Sequence, residues 1–179
     1  MGHVEMNTNP APAANDNAEG LRAQRTFTAV MRAMSEPGTI HKLDAPSGVP
    51  AALPLGQASV VLALADFETP LWLDPRLAAD AAVTRYLRFA TGAPLVTDPG
   101  AAGFALVSDA EQLPPFDKFA LGSEAYPDRS VTIVMEVQSF SSKNRYTLTG
   151  PGIESSRDVA PGPLPGDFEE RMKENRALF

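Results

Sequence analysis

Within eight residues, Ser123-Glu124-Ala125-Tyr126-Pro127-Asp128-Arg129-Ser130 collects two carboxylates, a phenol, a guanidinium and two hydroxyls just ahead of an apolar run. Glu124 and Asp128 are of the type that moves protons, Tyr126 can stack or donate, and Arg129 can grip an oxyanion with two parallel hydrogen bonds. Loops at a sheet edge are where ligands bind in α/β folds. The plain alternative is a solvated turn in which Asp128 and Arg129 make ordinary surface hydrogen bonds. Arg85 and Arg88, three apart on one amphipathic stretch, form a second candidate. Their guanidinium groups could hold a phosphate or phosphonate oxygen pair, or could simply face water.

Three further positions carry less. Gly150-Pro151-Gly152 could bring backbone amides to an anion, but it lacks the G-x-G-x-x-G and G-x-x-x-x-G-K-[ST] spacings of a phosphate cradle, so it reads as a turn ending a strand. Glu36-Pro37-Gly38-Thr39 reads the same way, as the stop of a helix. His41 is a lone imidazole after that turn, and the sequence supplies no partner for it as a general base.

Composition removes whole classes of function. The 179 residues include no cysteine, which excludes thiol catalysis, disulfides and thiolate metal sites, and two histidines, His3 and His41, which cannot build a multi-histidine metal centre within one chain. Fifteen Lys and Arg against 22 Asp and Glu give a net charge of −7, which argues against a polyanion groove and against nucleic acid as the main partner. The N-terminus shows neither a basic start nor an apolar core before a cleavage site, and no apolar run reaches membrane-spanning length. A cytoplasmic protein without a membrane partner is expected.

The elements that must position these groups follow from periodicity. Residues 1–20, rich in Asn, Ala and Pro, are expected to be a disordered tail, with a single α/β domain over 21–179. An amphipathic helix is expected over 21–35 with Leu21, Phe27, Val30, Met31 and Met34 on its apolar side. An irregular, proline-rich excursion follows over 44–55, then an apolar helix from Gln57 to Ala65 and a short buried strand near 69–74. One helix is expected over 76–91, capped by Gly92, then short core strands at 93–96 and 103–107 and a helix start at 108–111 cut off by Pro114-Pro115. Residues 130–137 alternate Val131, Ile133, Met135 and Val137 with smaller or polar residues, while Val134 fills the opposite face too. With a polar connector at 141–144 and a second run at 145–149, this reads as a hairpin central to the sheet. A loop over 155–166 and a polar helix over 167–178 complete the chain. The expectation is a three-layer α/β/α domain with a mixed sheet, parallel from its crossovers and antiparallel from its hairpin.

Five stretches in register resemble one family. Residues 27–40 (F-T-A-V-M-R-A-M-S-E-P-G-T-I), 62–74 (L-A-L-A-D-F-E-T-P-L-W-L-D), 87–96 (L-R-F-A-T-G-A-P-L-V), the strand at 130–137 and residues 148–153 (L-T-G-P-G-I) resemble the PhnH subunits of the bacterial carbon–phosphorus lyase system in order and spacing over about residues 25–179. The resemblance implies phosphonate catabolism. It implies a subunit of the lyase core complex that is needed, with partner subunits, when a phosphonate displaces adenine from ATP to give ribose 1-phosphonate 5-triphosphate. It further implies a homodimer in isolation, docking on other core-complex subunits, ATP or phosphonate as ligands of the assembled complex, no cofactor of its own, and a fold similar to the large domain of pyridoxal-phosphate transferases. The family pattern runs on past the closing N-x-x-L-F with a further strand and tail, where this sequence ends at Phe179. No catalytic residue carries over from the family.

Two other readings stay open. The first is a free-standing domain that binds a nucleotide or phosphonate through Glu124, Tyr126, Asp128 and Arg129. The second is a pyridoxal-phosphate enzyme, because Ser139-Phe140-Ser141-Ser142-Lys143-Asn144 resembles the S-F-S-K-N Schiff-base segment of aminotransferases, with one extra serine shifting the register. The lead expectation is a subunit of a transferase assembly without a complete active site in this chain.

Overall fold

The structure, a computed structural model, describes residues 14–177. The disordered tail expected over 1–20 falls mostly outside these residues. The first helix, α1 (Ala14–Ser35), begins ahead of its expected start. Then follow α2 (Leu55–Leu64), β1 (Leu71–Leu73), α3 (Pro75–Ala79), α4 (Ala81–Thr91), β2 (Leu95–Val96), β3 (Phe104–Val107), β4 (Thr132–Met135), β5 (Tyr146–Leu148), β6 (Arg157–Val159) and α5 (Phe168–Arg176).

The single helix expected over 76–91 is two, and the break is chemical. Asp80 leaves helical geometry, and its side chain accepts from the amides of Ala82 (2.8 Å) and Val83 (3.1 Å), satisfying two donors that open α4. Asp74 does the same for α3 beside Pro75, whose fixed φ suits a first helical position. Gly92 closes α4 in the left-handed region at φ 71°, as its position in the sequence predicts.

Four strands form one sheet in the order β2-β1-β3-β4, and every pairing in it is parallel, with Leu71 opposite both Leu95 and Phe104 and Ala105 opposite Ile133. The mixed sheet is therefore corrected. So is the central hairpin: β4 lies at the end of the sheet on β3, and β5 pairs antiparallel with β6 in a separate two-stranded sheet, Leu148 opposite Arg157. The residues between 155 and 166, expected as loop, supply that partner strand. The physical reason lies in β4 itself. Its apolar residues fall on both faces, as they do when helices or turns cover a strand from both sides in a parallel sheet, and not on one face as in a half-solvated hairpin.

Strand alternation sorts the core into two layers. Leu71, Leu73 and Leu106 face α2, α3 and α4, where they meet Val61, Leu77, Val83 and Leu87, all buried. Each such side chain contributes roughly 1.5–3 kcal/mol relative to an exposed one. On the other face Trp72, Ala105 and Val107 lie under Leu113 and Phe119, with half-buried Phe116, Ile133, Met135 and Phe168 around them. That cover consists of 3-10 turns at Ala110–Gln112 and Phe116–Lys118 and the first turn of α5. Edge-to-face pairs hold it: Trp72 with Phe119 at 5.6 Å between centroids, and Phe168 with Phe116 (6.1 Å) and Tyr146 (5.9 Å).

The first helix inverts the expected burial. It lies on α2 through small or short residues, Ala23, Thr26, Ala29 and Ala33 being buried or half-buried, while Phe27, Met31 and Met34 point outward, exposed by 48%, 49% and 65%. Small side chains let two helices approach closely. The large ones, at i, i+4 and i+7, then share the opposite stripe.

Candidate functional site

In an open parallel sheet the carboxyl ends of the strands, at the point where the chain turns to opposite sides, form the usual ligand crevice. Here β1 leads to β2 on one side and is bordered by β3 on the other, so that point lies between the ends of β1 and β3. Asp74 and Ser108 occupy it. The Asp74 carboxylate, 3% exposed, accepts from the Ser108 amide (2.6 Å), the Ser108 hydroxyl (2.7 Å) and the Leu77 amide (2.8 Å). One buried charge thus ties two strand ends and caps a helix, and its hydrogen bonds offset the cost of taking it out of water. Gln57 works similarly on the helical face, its Nε2 donating to the carbonyls of Val107 (2.7 Å) and Val134 (2.9 Å) and so clamping β3 to β4, while its buried Oε1 has no partner among the described residues.

Beside this point opens a polar cavity of about 180 Å³ lined by Arg76, Ser108, Asp109, Glu111, Glu136 and Gln138. One guanidinium among three carboxylates can hold a hydroxyl- or amine-bearing group. The Ser108 hydroxyl is committed to Asp74, with no imidazole at hand: His41, the one histidine among the described residues, bonds the Thr39 hydroxyl (2.8 Å) and lines a different concavity. Sequence reasoning missed this crevice. Its signal was there in Asp74, Ser108 and Glu136, each the first polar residue after a strand of the parallel sheet.

The residues singled out in the sequence lie elsewhere. Glu124, Tyr126, Asp128 and Arg129 are all exposed, around a 3-10 turn (Pro127–Arg129) that leads into β4, at the amino ends of the parallel strands. Of these four, the structure brings together Tyr126 and Arg129, whose guanidinium carbon sits 4.2 Å from the ring centroid. Next to the turn is a groove of about 430 Å³, lined chiefly by Phe116, Phe119, Leu121, Val131, Ile133 and Met172. Arg85 and Arg88 are exposed on α4. Their neighbour Tyr86 turns instead toward a concavity of about 520 Å³ between α1, α2 and α4, where burial raises its phenol above the ordinary value, Glu19 adding to the rise and Arg22 opposing it. Lys143 is exposed in the connector to β5.

The two glycine turns, read separately in the sequence, meet. A Cβ on Gly152, at φ 78°, would collide with the carbonyl oxygen of Ser35, and one on Gly38, at φ 85°, would press on the Arg157 side chain. Arg157 in turn donates through Nη1 to the carbonyls of Pro37 (2.9 Å) and Glu36 (3.2 Å). The turns are a structural joint between the end of α1 and the small sheet.

Among the described residues no three His, Asp or Glu side chains are grouped to hold a metal ion, and no helix is long and apolar enough to cross a membrane. What fold and crevice define is an α/β domain on a parallel sheet, rich in exposed apolar and polar surface, with no assembled nucleophile–base pair among the described residues. The chain belongs to the PhnH family: the model of the family described as bacterial phosphonate metabolism protein (PhnH) matches residues 15–179. It is similar to the alpha-D-ribose 1-methylphosphonate 5-triphosphate synthase subunit PhnH of Rhizobium meliloti (strain 1021), 38% identical over 161 residues that cover 89% of this chain and 79% of the relative.

Proposed function

We propose that this chain is a subunit of an assembly of the kind named for its rhizobial relative, a ribose 1-methylphosphonate 5-triphosphate synthase acting in bacterial phosphonate metabolism, and that it contributes surface to that assembly instead of a complete catalytic centre. One observation carries the reading: the outward stripe of α1, where Phe27, Met31 and Met34 are exposed while Ala23, Thr26, Ala29 and Ala33 of the same helix are buried or half-buried. Large apolar side chains arrayed on one stripe mark a protein interface. The family match supplies the partners' class.

The same proposal includes the finer expectations: a homodimer when alone, the other core-complex subunits as partners, a cytoplasmic setting, and ATP and a phosphonate as ligands of the assembled complex, where the phosphonate displaces adenine. A likeness of the fold to the large domain of pyridoxal-phosphate transferases belongs to it as well. Glu124, Tyr126, Asp128, Arg129, Arg85 and Arg88, all exposed, are the residues proposed to meet ligand there.

Co-expression with the other synthase subunits tests it. The chain is expected to co-purify with them, to lose them in a Phe27→Ser/Met31→Ser double variant that still folds, and to leave ATP and methylphosphonate untouched when alone. Turnover by the purified single protein, or co-purification indifferent to the α1 substitutions, would defeat the reading.

A further inference from the structure

On a chain of net charge −7, one concavity is basic. It lies between the outer part of α1 and the irregular connector that follows, has a volume of about 340 Å³, and is lined by Gln24, Arg25, Thr28, Arg32, His41 and Lys42 together with Ala29. No carboxylate lines it. Asp44, outside that lining, accepts from the Nε of Arg25 at 2.7 Å. That bond fixes the plane of the guanidinium. Neither Arg32 nor Lys42 has a carboxylate within ion-pair distance among the described residues. His41 is held by the Thr39 hydroxyl through Nε2, which leaves Nδ1 for a second partner.

Like charges gather at a cost, and a hollow in which one acid faces three cations, leaving Arg32 and Lys42 without an ion pair among the described residues, favours a counter-charge. The setting selects the ligand class. Arg25, Arg32 and Lys42 are exposed, so a singly charged anion gains little against water and salt. A chain of linked oxyanions engages several cations at once, through the planar forks of the arginines and the point charge of the lysine. The volume sits at the small end of ligand sites, which run from about 300 to 1,000 Å³, and suits a triphosphate group and not a whole cofactor.

We propose that Arg25, Arg32, His41 and Lys42 form a binding site for a triphosphate-type polyanion, free or carried by a nucleoside. The site stands on charge and shape, and it deepens the subunit reading by naming where this chain would hold the phosphates of a triphosphate substrate or product. The test is a calorimetric titration of the purified full chain with inorganic tripolyphosphate, with orthophosphate and ATP in parallel, at low and moderate salt. Tripolyphosphate is expected to bind in a salt-sensitive way, at least tenfold tighter than orthophosphate. Arg32→Gln and Lys42→Gln should each weaken it by about three- to tenfold, with ATP losing the same factors, while Lys118→Gln changes nothing. Absence of saturable tripolyphosphate binding, or binding that survives Arg32→Gln/Lys42→Gln in a folded protein, would overturn the site. Loss of co-purifying subunits in that double variant without any tripolyphosphate binding would also overturn it, assigning the hollow to an acidic protein partner. Should titration succeed while co-purification fails in the unaltered chain, the site stands and the subunit reading falls.

Discussion

The two faces of the parallel sheet are built to different standards. Under α2, α3 and α4, Leu71, Leu77, Val83, Leu87 and Leu106 are each 0% exposed, a finished core. On the opposite face Ala105 and Val107 are as deeply buried, but their lid is made of 3-10 turns and the start of α5, with Phe116, Ile133, Met135 and Phe168 only partly buried and an open groove beside them. The difference teaches where the fold is closed and where it is left open. Helices seal one side completely. Turns screen the other loosely and leave it able to take on another surface.

The comparison can be broken by mutation. Leu71→Ala, at the centre of the sealed side, should lower unfolding free energy by about 3–5 kcal/mol in a urea titration, as a buried leucine leaving a cavity does. Asp74→Ala, at the crevice between the strand ends, should cost about 2–4 kcal/mol in the same measurement, because the amides of Ser108 and Leu77 and the Ser108 hydroxyl lose their acceptor in a buried place. Phe168→Ala on the loosely covered side should cost only about 1–2 kcal/mol, its side chain being only partly buried. A loss equal to that of Leu71→Ala would erase the distinction between the faces. Arg129→Ala should shift the thermal midpoint least, corresponding to about 0.5 kcal/mol, since an exposed guanidinium over an exposed ring holds little of the fold together. A drop above about 2 kcal/mol there would mean the turn before β4 is part of the core.

Much of the layout was legible in the residues because local patterns set element type. The apolar blocks at β1 and β3, the stop at Pro114-Pro115 and the cap at Gly92 could be read directly. Pairing could not, since extended segments 130–137 and 145–149 carry no label of their partners. Val134, which the sequence placed on the second face of its strand, was the available clue that β4 is a covered parallel strand and not one arm of a hairpin. The outward stripe of α1 was misread for a related reason. An amphipathic helix announces two faces, and which of them turns inward depends on the neighbour, here α2, that accepts only short side chains. Of the site, charge-bearing residue types were visible, but the meeting of Asp74 with Ser108 across 34 positions, and of the basic groups of α1 with His41 and Lys42, is made by tertiary structure alone.

The bond from Arg157 to the carbonyls that end α1 spans about 120 positions of chain. A growing polypeptide leaves the ribosome from its amino end, so the first helix emerges early yet stays without its clasp until Arg157 has been made. Its last turn should therefore acquire lasting amide protection only after the segments of the four parallel strands have been made.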